Sequence, residues 1–191
     1  MKAMMTAVAA LLLTAAMWAQ DQGNRAEQAF SDGGRVNLEL GGGGYEVRAG
    51  TSDKIVVTYR TEREEQLKSV EVRFVGGHDS THLKIHGPHN NFHATIELPP
   101  HTDLYVRLEA GELRLKDVEG NKDIESHAGD LDISVGRAED YGDVDASVGA
   151  GDLNAPAFRV NKGGLFRSFR QHGGGKYRLH VHLGAGDLNL H

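Results

Sequence analysis

The 191 residues contain no cysteine. Disulfide staples are therefore excluded, and so is a cysteine for covalent lipid attachment. An excess of positive charge is missing as well: 21 Lys and Arg stand against 27 Asp and Glu, a formal net charge of −6. Binding to a phosphate backbone needs a basic footprint, so nucleic acid is not an expected partner. Beyond Ala16 no apolar run is long enough to cross a bilayer, and no stretch has the periodicity of a long helix. Nucleophile motifs are lacking too, because Ser126, Ser134, Ser147 and Ser168 sit in none of the known elbows.

What is present begins with a basic start, Met1-Lys2, and an apolar run from Ala3 to Ala16 that ends in small residues. This pattern predicts a signal peptide over residues 1–19, and hence export to the periplasm, the cell surface or the exterior. Residues 20–35 are polar and glycine-containing and are expected to be a linker. From Val36 onward the apolar residues alternate with polar ones, as in Val36, Leu38, Leu40 and in Ile55, Val57, Tyr59. A period of two marks strands with one buried face.

Glycine is abundant, at 25 residues, and between residues 108 and 154 it keeps time. Gly111-Glu112-Leu113, Gly129-Asp130-Leu131, Gly142-Asp143-Val144 and Gly151-Asp152-Leu153 repeat one phrase, Gly120 lies midway between the first two copies, and Gly186-Asp187-Leu188 closes the chain. The steps are 9, 9, 13 and 9 residues. Nine residues hold one strand and one turn, with glycine free to adopt positive φ and the acidic residue able to bond nearby backbone N–H groups. Such units bury their apolar faces only by stacking. The expectation is an all-β, single-domain β-solenoid over residues 36–191, with Gly111, Gly120, Gly129, Asp130, Gly142, Asp143, Gly151, Asp152, Gly186 and Asp187 as structural turns. Two segments interrupt the rhythm. Thr61–Ser69 could be a single helical turn or a solvated loop, and Gly163–Gly175 reads as an inserted loop or end cap, with Phe166 and Phe169 at helical spacing.

The residues Ile96-Glu97-Leu98-Pro99-Pro100, Asp103-Leu104, Gly111-Glu112-Leu113, Val118-Glu119-Gly120 and Gly129-Asp130-Leu131, with the tail Gly173 to Leu190, resemble the bacterial family known as putative adhesins, long described as a domain of unknown function. The resemblance spans roughly Val36 to His191. It implies coiled β-strands with glycine-aspartate turns and a surface role, and it supplies no catalytic residue to carry over.

Three chemistries are conceivable for the polar positions. Histidines concentrate at His78, His82, His86, His89 and His93, and His180 and His182 share one face. Along a strand His82 and His86 are too far apart to share a metal without a third element, and His180 and His182 lack a visible third ligand. A solvated polar face is the favoured reading, with no metal and no cofactor assigned. Calcium is disfavoured because Asp130, Asp143, Asp152 and Asp187 follow glycine directly, without the residue that intervenes in calcium-binding β-rolls. A paired-carboxylate hydrolase or lyase would draw on Asp130, Asp132, Asp143, Asp145 and Asp152, but every i, i+2 acidic pair on a strand meets the distance requirement. The sequence therefore points to an exported, non-catalytic structural or adhesin-like surface protein, whose envelope, surface or glycan partner is unidentified. The alternative is a small carbohydrate-binding or carbohydrate-cleaving domain using the acidic outer face. Tyr105, Tyr141 and Tyr177 are scattered instead of gathered in the single register that sugar stacking favours.

Overall fold

A computed structural model describes residues 24–88 and 90–191. The expected signal peptide, the start of the expected linker and His89 lie outside the described residues. Fourteen strands form one continuous hydrogen-bonded sheet. They are β1 (Arg25–Ala29), β2 (Arg35–Leu40), β3 (Gly43–Ala49), β4 (Lys54–Arg60), β5 (Glu71–Gly76), β6 (Ser80–His86) and β7 (His93–Leu98), then β8 (Asp103–Leu108), β9 (Gly111–Lys116), β10 (Lys122–Ile133), β11 (Tyr141–Ala155), β12 (Val160–His172), β13 (Tyr177–Ala185) and β14 (Leu188–Leu190).

The alternation dictates the strands and glycine folds them in two. In β10, Ile124 and Ser126 face inward, the chain turns at Gly129, and Leu131 and Ile133 face inward again. Each rung thus has two arms meeting at a glycine corner: β2 with β3, β6 with β7, β8 with β9, the two halves of β10, the two halves of β11, and β13 with β14. First arms pair with first arms and second arms with second arms, in parallel. Their registers place Leu83, Leu38, Val106, Ile124, Val181 and Ala146 in one inward row, all buried. Each large aliphatic side chain in such a row contributes about 1.5–3 kcal/mol before the entropy of ordering it is subtracted.

All-β is the observed class, but the expected solenoid is not the observed fold. In a solenoid each rung stacks on the one before it in sequence. Here the β2–β3 rung lies between those of β6–β7 and β8–β9, and the last rung, β13–β14, slots between β10 and β11. The strands β10, β13, β11 and β14 consequently close a barrel-like ring of parallel pairings, continuous with the larger sheet. Antiparallel strands finish the edges: β5 on β6, β1 on β4 on β7, and β12 on β11.

The glycine intervals explain the difference. Gly111 stands opposite Gly129 in the parallel register, so one rung is two nine-residue units, and Gly120 belongs to the other end of the rung beside Thr102. The 13-residue step contains a one-turn 3-10 helix, Ala138–Asp140, that carries the chain past the slot later filled by β13 and β14. Local differences follow the same logic. Within the expected linker, Arg25–Ala29 pairs with β4, and Phe30 is buried. Glu64–Ser69 is a 3-10 helix. The expected loop at 163–175 is largely strand: β12 lies along the whole of β11, burying Phe169 against Phe158 at 5.7 Å between ring centroids. Among the described residues no helix is long and apolar enough to cross a membrane.

Candidate functional site

The corners come first, because they hold the largest share of the predicted residues. Gly111, Gly129, Gly186 and Gly151 stack in consecutive rungs with φ of 126°, 121°, 128° and 132°. A Cβ on Gly129 would collide with the Gly111 carbonyl, one on Gly186 with the Gly129 carbonyl, and one on Gly151 with the Gly186 carbonyl. Beside this column the carboxylates also form a ladder. Asp187 N–H donates to Asp130 Oδ1 at 3.2 Å, and Asp152 N–H donates to Asp187 Oδ1 at 3.1 Å. These aspartates thus bond the neighbouring rung, not their own turn. Gly120 has φ 136° at the opposite end of the rung, and Gly142 packs against the Gly175 carbonyl. Asp143 is no turn former: it stands on β11 and meets His172 Nδ1 at 3.1 Å and Arg178 Nε at 3.8 Å.

The outward face of the first arms gathers the remaining candidates. Parallel register aligns Tyr105, Asp123, His180 and Asp145 in one row and Arg107, Glu125, His182 and Ser147 in the next. His180 Nδ1 lies 3.7 Å from Asp123 Oδ2, and one potential ligand atom from each of Asp123, Glu125 and His180 falls within 4.8 Å of the others. The third element missing beside His180 and His182 in sequence is therefore β10, 57 residues upstream and adjacent in space. Arg107, however, already bridges both carboxylates, with Nη1 2.9 Å from Asp123 Oδ1 and Nε 3.1 Å from Glu125 Oε2. The guanidinium supplies the positive charge a metal would bring. His182 turns the other way, its Nδ1 2.9 Å from Ser147 Oγ.

Among the described residues the other histidines do not join them. On β6, His82 Nε2 and Lys84 Nζ reach Glu39 at 3.2 and 2.5 Å, and His86 Nε2 is 3.8 Å from the same carboxylate. The Lys84 hydrogen bond and charge, then His82, hold the Glu39 carboxyl below its ordinary range. His78 is exposed in the β5–β6 turn, and His93 lines a groove of about 470 Å³ with Arg60, Glu112 and Arg114. Tyr45 and Tyr59 border that groove but are 2% and 3% exposed, so neither offers a ring face for stacking. The carboxylates weighed for hydrolysis also disperse. Asp130 and Asp152 are in the corner ladder, Asp132 meets His191 at 3.0 Å, and Asp145 meets Arg170 at 2.8 Å.

One charged residue that belongs to no sequence motif is buried by the fold. Lys122 is 1% exposed and occupies an inward position between Leu104 and Leu179. Its Nζ donates to Tyr141 Oη at 2.5 Å and to the Gly120 carbonyl at 3.3 Å, and lies 5.1 Å from the Tyr141 ring centroid. Burial lowers its pKa to about 8, against the opposing pull of Glu119 and Asp103. The alternation carried the signal, since Lys122 shares the phase of Ile124 and Ser126.

No family model matches the chain, and no curated protein matches it in sequence. Solved structures do. A "putative cell adhesion protein" from Clostridium sporogenes superposes with a TM-score of 0.50 at 18% identity, over 87% of this chain and 97% of that one. The two chains share a fold. A "putative adhesin" from Parabacteroides merdae (11% identity, 58% and 51% of the two chains) and a "putative lipid binding protein" from Parabacteroides distasonis (12%, 89% and 98%) give TM-scores of only 0.25. Likeness at that level bears no weight. The fold shared with the Clostridium protein agrees with the adhesin-like resemblance in the sequence, at the coarse level of fold.

Proposed function

We propose that the chain is an exported, envelope-associated surface protein of the adhesin-like family, structural or adhesive in role and without catalysis of its own. The observation that carries this reading is the fold shared with the Clostridium cell adhesion protein along nearly the whole of both chains. The chemistry of the outer face supports it. Asp123, Glu125, Asp143 and Asp145 are each met by an arginine on a neighbouring strand, an arrangement suited to locking rungs together and to presenting a broad polar surface. A fold does not fix a function, so the test is made on cells. Deletion of the gene is expected to reduce surface attachment or envelope integrity, with restoration by the intact copy. Unchanged attachment and integrity in the deletion strain would remove the proposal. Fractionation is expected to find the protein outside the cytoplasm, and a purely cytoplasmic location would refute export.

A further inference from the structure

The edge strand β12 differs in charge from the rest of the molecule. Asn154–Gly186 contains six of the 21 Lys and Arg and none of the 27 Asp and Glu. Two of the six, Arg170 and Arg178, meet Asp145 and Asp143 on β11. Arg159, Lys162 and Arg167 have no carboxylate partner among the described residues. Lys162 Nζ donates to the Ser168 carbonyl at 2.7 Å and Arg167 Nε to the Gly163 carbonyl at 2.6 Å, so both cations fold over the same short segment. Between them stand Leu165 and Phe166, 63% and 86% exposed. Among the described residues the only other exposed large hydrophobic is Val75, on the far edge strand β5. At the corner β12 keeps a glycine, Gly164 opposite Gly151, but where the inner rungs place an acid beside it β12 has Gly163, and leucine, phenylalanine and arginine follow.

We propose that this corner of β12 docks the protein onto an anionic lipid surface. Three occupants could cover an apolar, basic edge, and the observations separate them. A second copy paired β12 to β12 would oppose two acid-free basic strands, which repel. An acidic peptide added as a further strand needs a continuous edge. Here φ of 112° at Gly164 and 53° at Phe166 bend the strand at its middle, where the β11–β12 register skips Gly149 and Phe166. Bent edges bearing lysine and arginine are poor templates for strand addition. A lipid surface requires no register. Leu165 and Phe166 enter the headgroup boundary, and Lys162 and Arg167 meet lipid phosphates. The acidic remainder of the molecule is repelled by the same surface, which orients β12 toward it. This inference rests on β12 alone and does not depend on an adhesive role.

The chain has one tryptophan, Trp18, so F166W in a W18F background places a single indole at the corner. Vesicles of phosphatidylcholine, with and without phosphatidylglycerol, are compared using brominated acyl chains as quenchers. A blue-shifted, quenched indole is expected on phosphatidylglycerol vesicles, with little effect on pure phosphatidylcholine. Adding K162E and R167E is expected to weaken binding at least about ten-fold. An indole that stays unquenched while the chain binds vesicles would show that another segment holds it, and would overturn the proposal. Equal quenching on neutral vesicles would overturn it as well. So would binding of a soluble poly-glutamate peptide, sensitive to K162E and R167E, in a protein that ignores vesicles.

Discussion

The corner of β10 at Gly129 and the bend of β12 at Phe166, two residues past the edge strand's own corner glycine Gly164, belong to one sheet yet obey opposite rules. At Gly129, the backbone carbonyl of Gly111 in the adjoining rung fills the space where a side chain would begin. At Phe166 a whole ring stands in solvent. The difference follows from neighbours. An inner rung is pressed from both sides at the spacing of β-strands, about 4.8 Å, and its corner must fit beneath the next one. An edge strand is pressed from one side only. Inner corners are therefore under steric control, and the edge corner is left open to carry something else. Gly129→Val should break this comparison most severely, because positive φ and collision with the Gly111 carbonyl act together. The expected loss is on the order of 4 kcal/mol or more, or failure to fold. A variant melting within a few degrees of the parent would show that the column is not tightly packed.

Lys122 places a second contrast inside the inner rungs, where a charge occupies a row of aliphatic residues. With its pKa lowered from 10.5 to about 8, the folded chain sheds a proton that the unfolded chain retains between these values. Stability attributable to this group should therefore be constant below pH 8 and rise as pH climbs toward 10.5, by up to roughly 3 kcal/mol. Changing Lys122 to Met together with Tyr141 to Phe removes the buried charge and its hydroxyl partner at once. Urea midpoints for this pair of changes should be higher than the parent's at pH 7 and should lose the parent's rise between pH 8 and 10. A parent curve already flat across that range would mean Lys122 is hydrated.

Much of the architecture was written locally. The alternation marks inward faces, and the glycine phrase marks corners, because both depend on a residue and its immediate backbone. The order of rungs was not legible. Every parallel slot presents the same aliphatic row and the same glycine corner, so nothing near Gly129 says that Leu188 will later pack against Leu131. Only the 13-residue step hinted at a skipped slot. The polar cluster was hidden for the same reason: Asp123 and His180 become neighbours through that late insertion. Lys122, by contrast, was legible from its phase. Aspartate's bonding capacity was also foreseeable, though its direction was not. Asp187→Ala removes the acceptor for Asp152 N–H, and a loss of about 1 kcal/mol is expected by urea denaturation. No measurable loss would indicate that water replaces the carboxylate.

Phe166→Ser should have the smallest effect on folding and so sharpens the first comparison. The ring is 86% exposed and outside the buried cluster that holds Phe158 and Phe169, so its removal exposes no further core. Serine also relieves part of the side-chain crowding at φ 53°. Stability is expected to stay within about 0.5 kcal/mol of the parent. Phe169→Ser, three residues along the same strand, should cost about 3 kcal/mol or more, because that ring is buried against Phe158. Thermal or urea melts of the two variants, run side by side, measure the difference directly. If Phe166→Ser were as damaging as Phe169→Ser, the exposed corner would be part of the packed fold, and a free edge would no longer distinguish β12 from the rungs it covers.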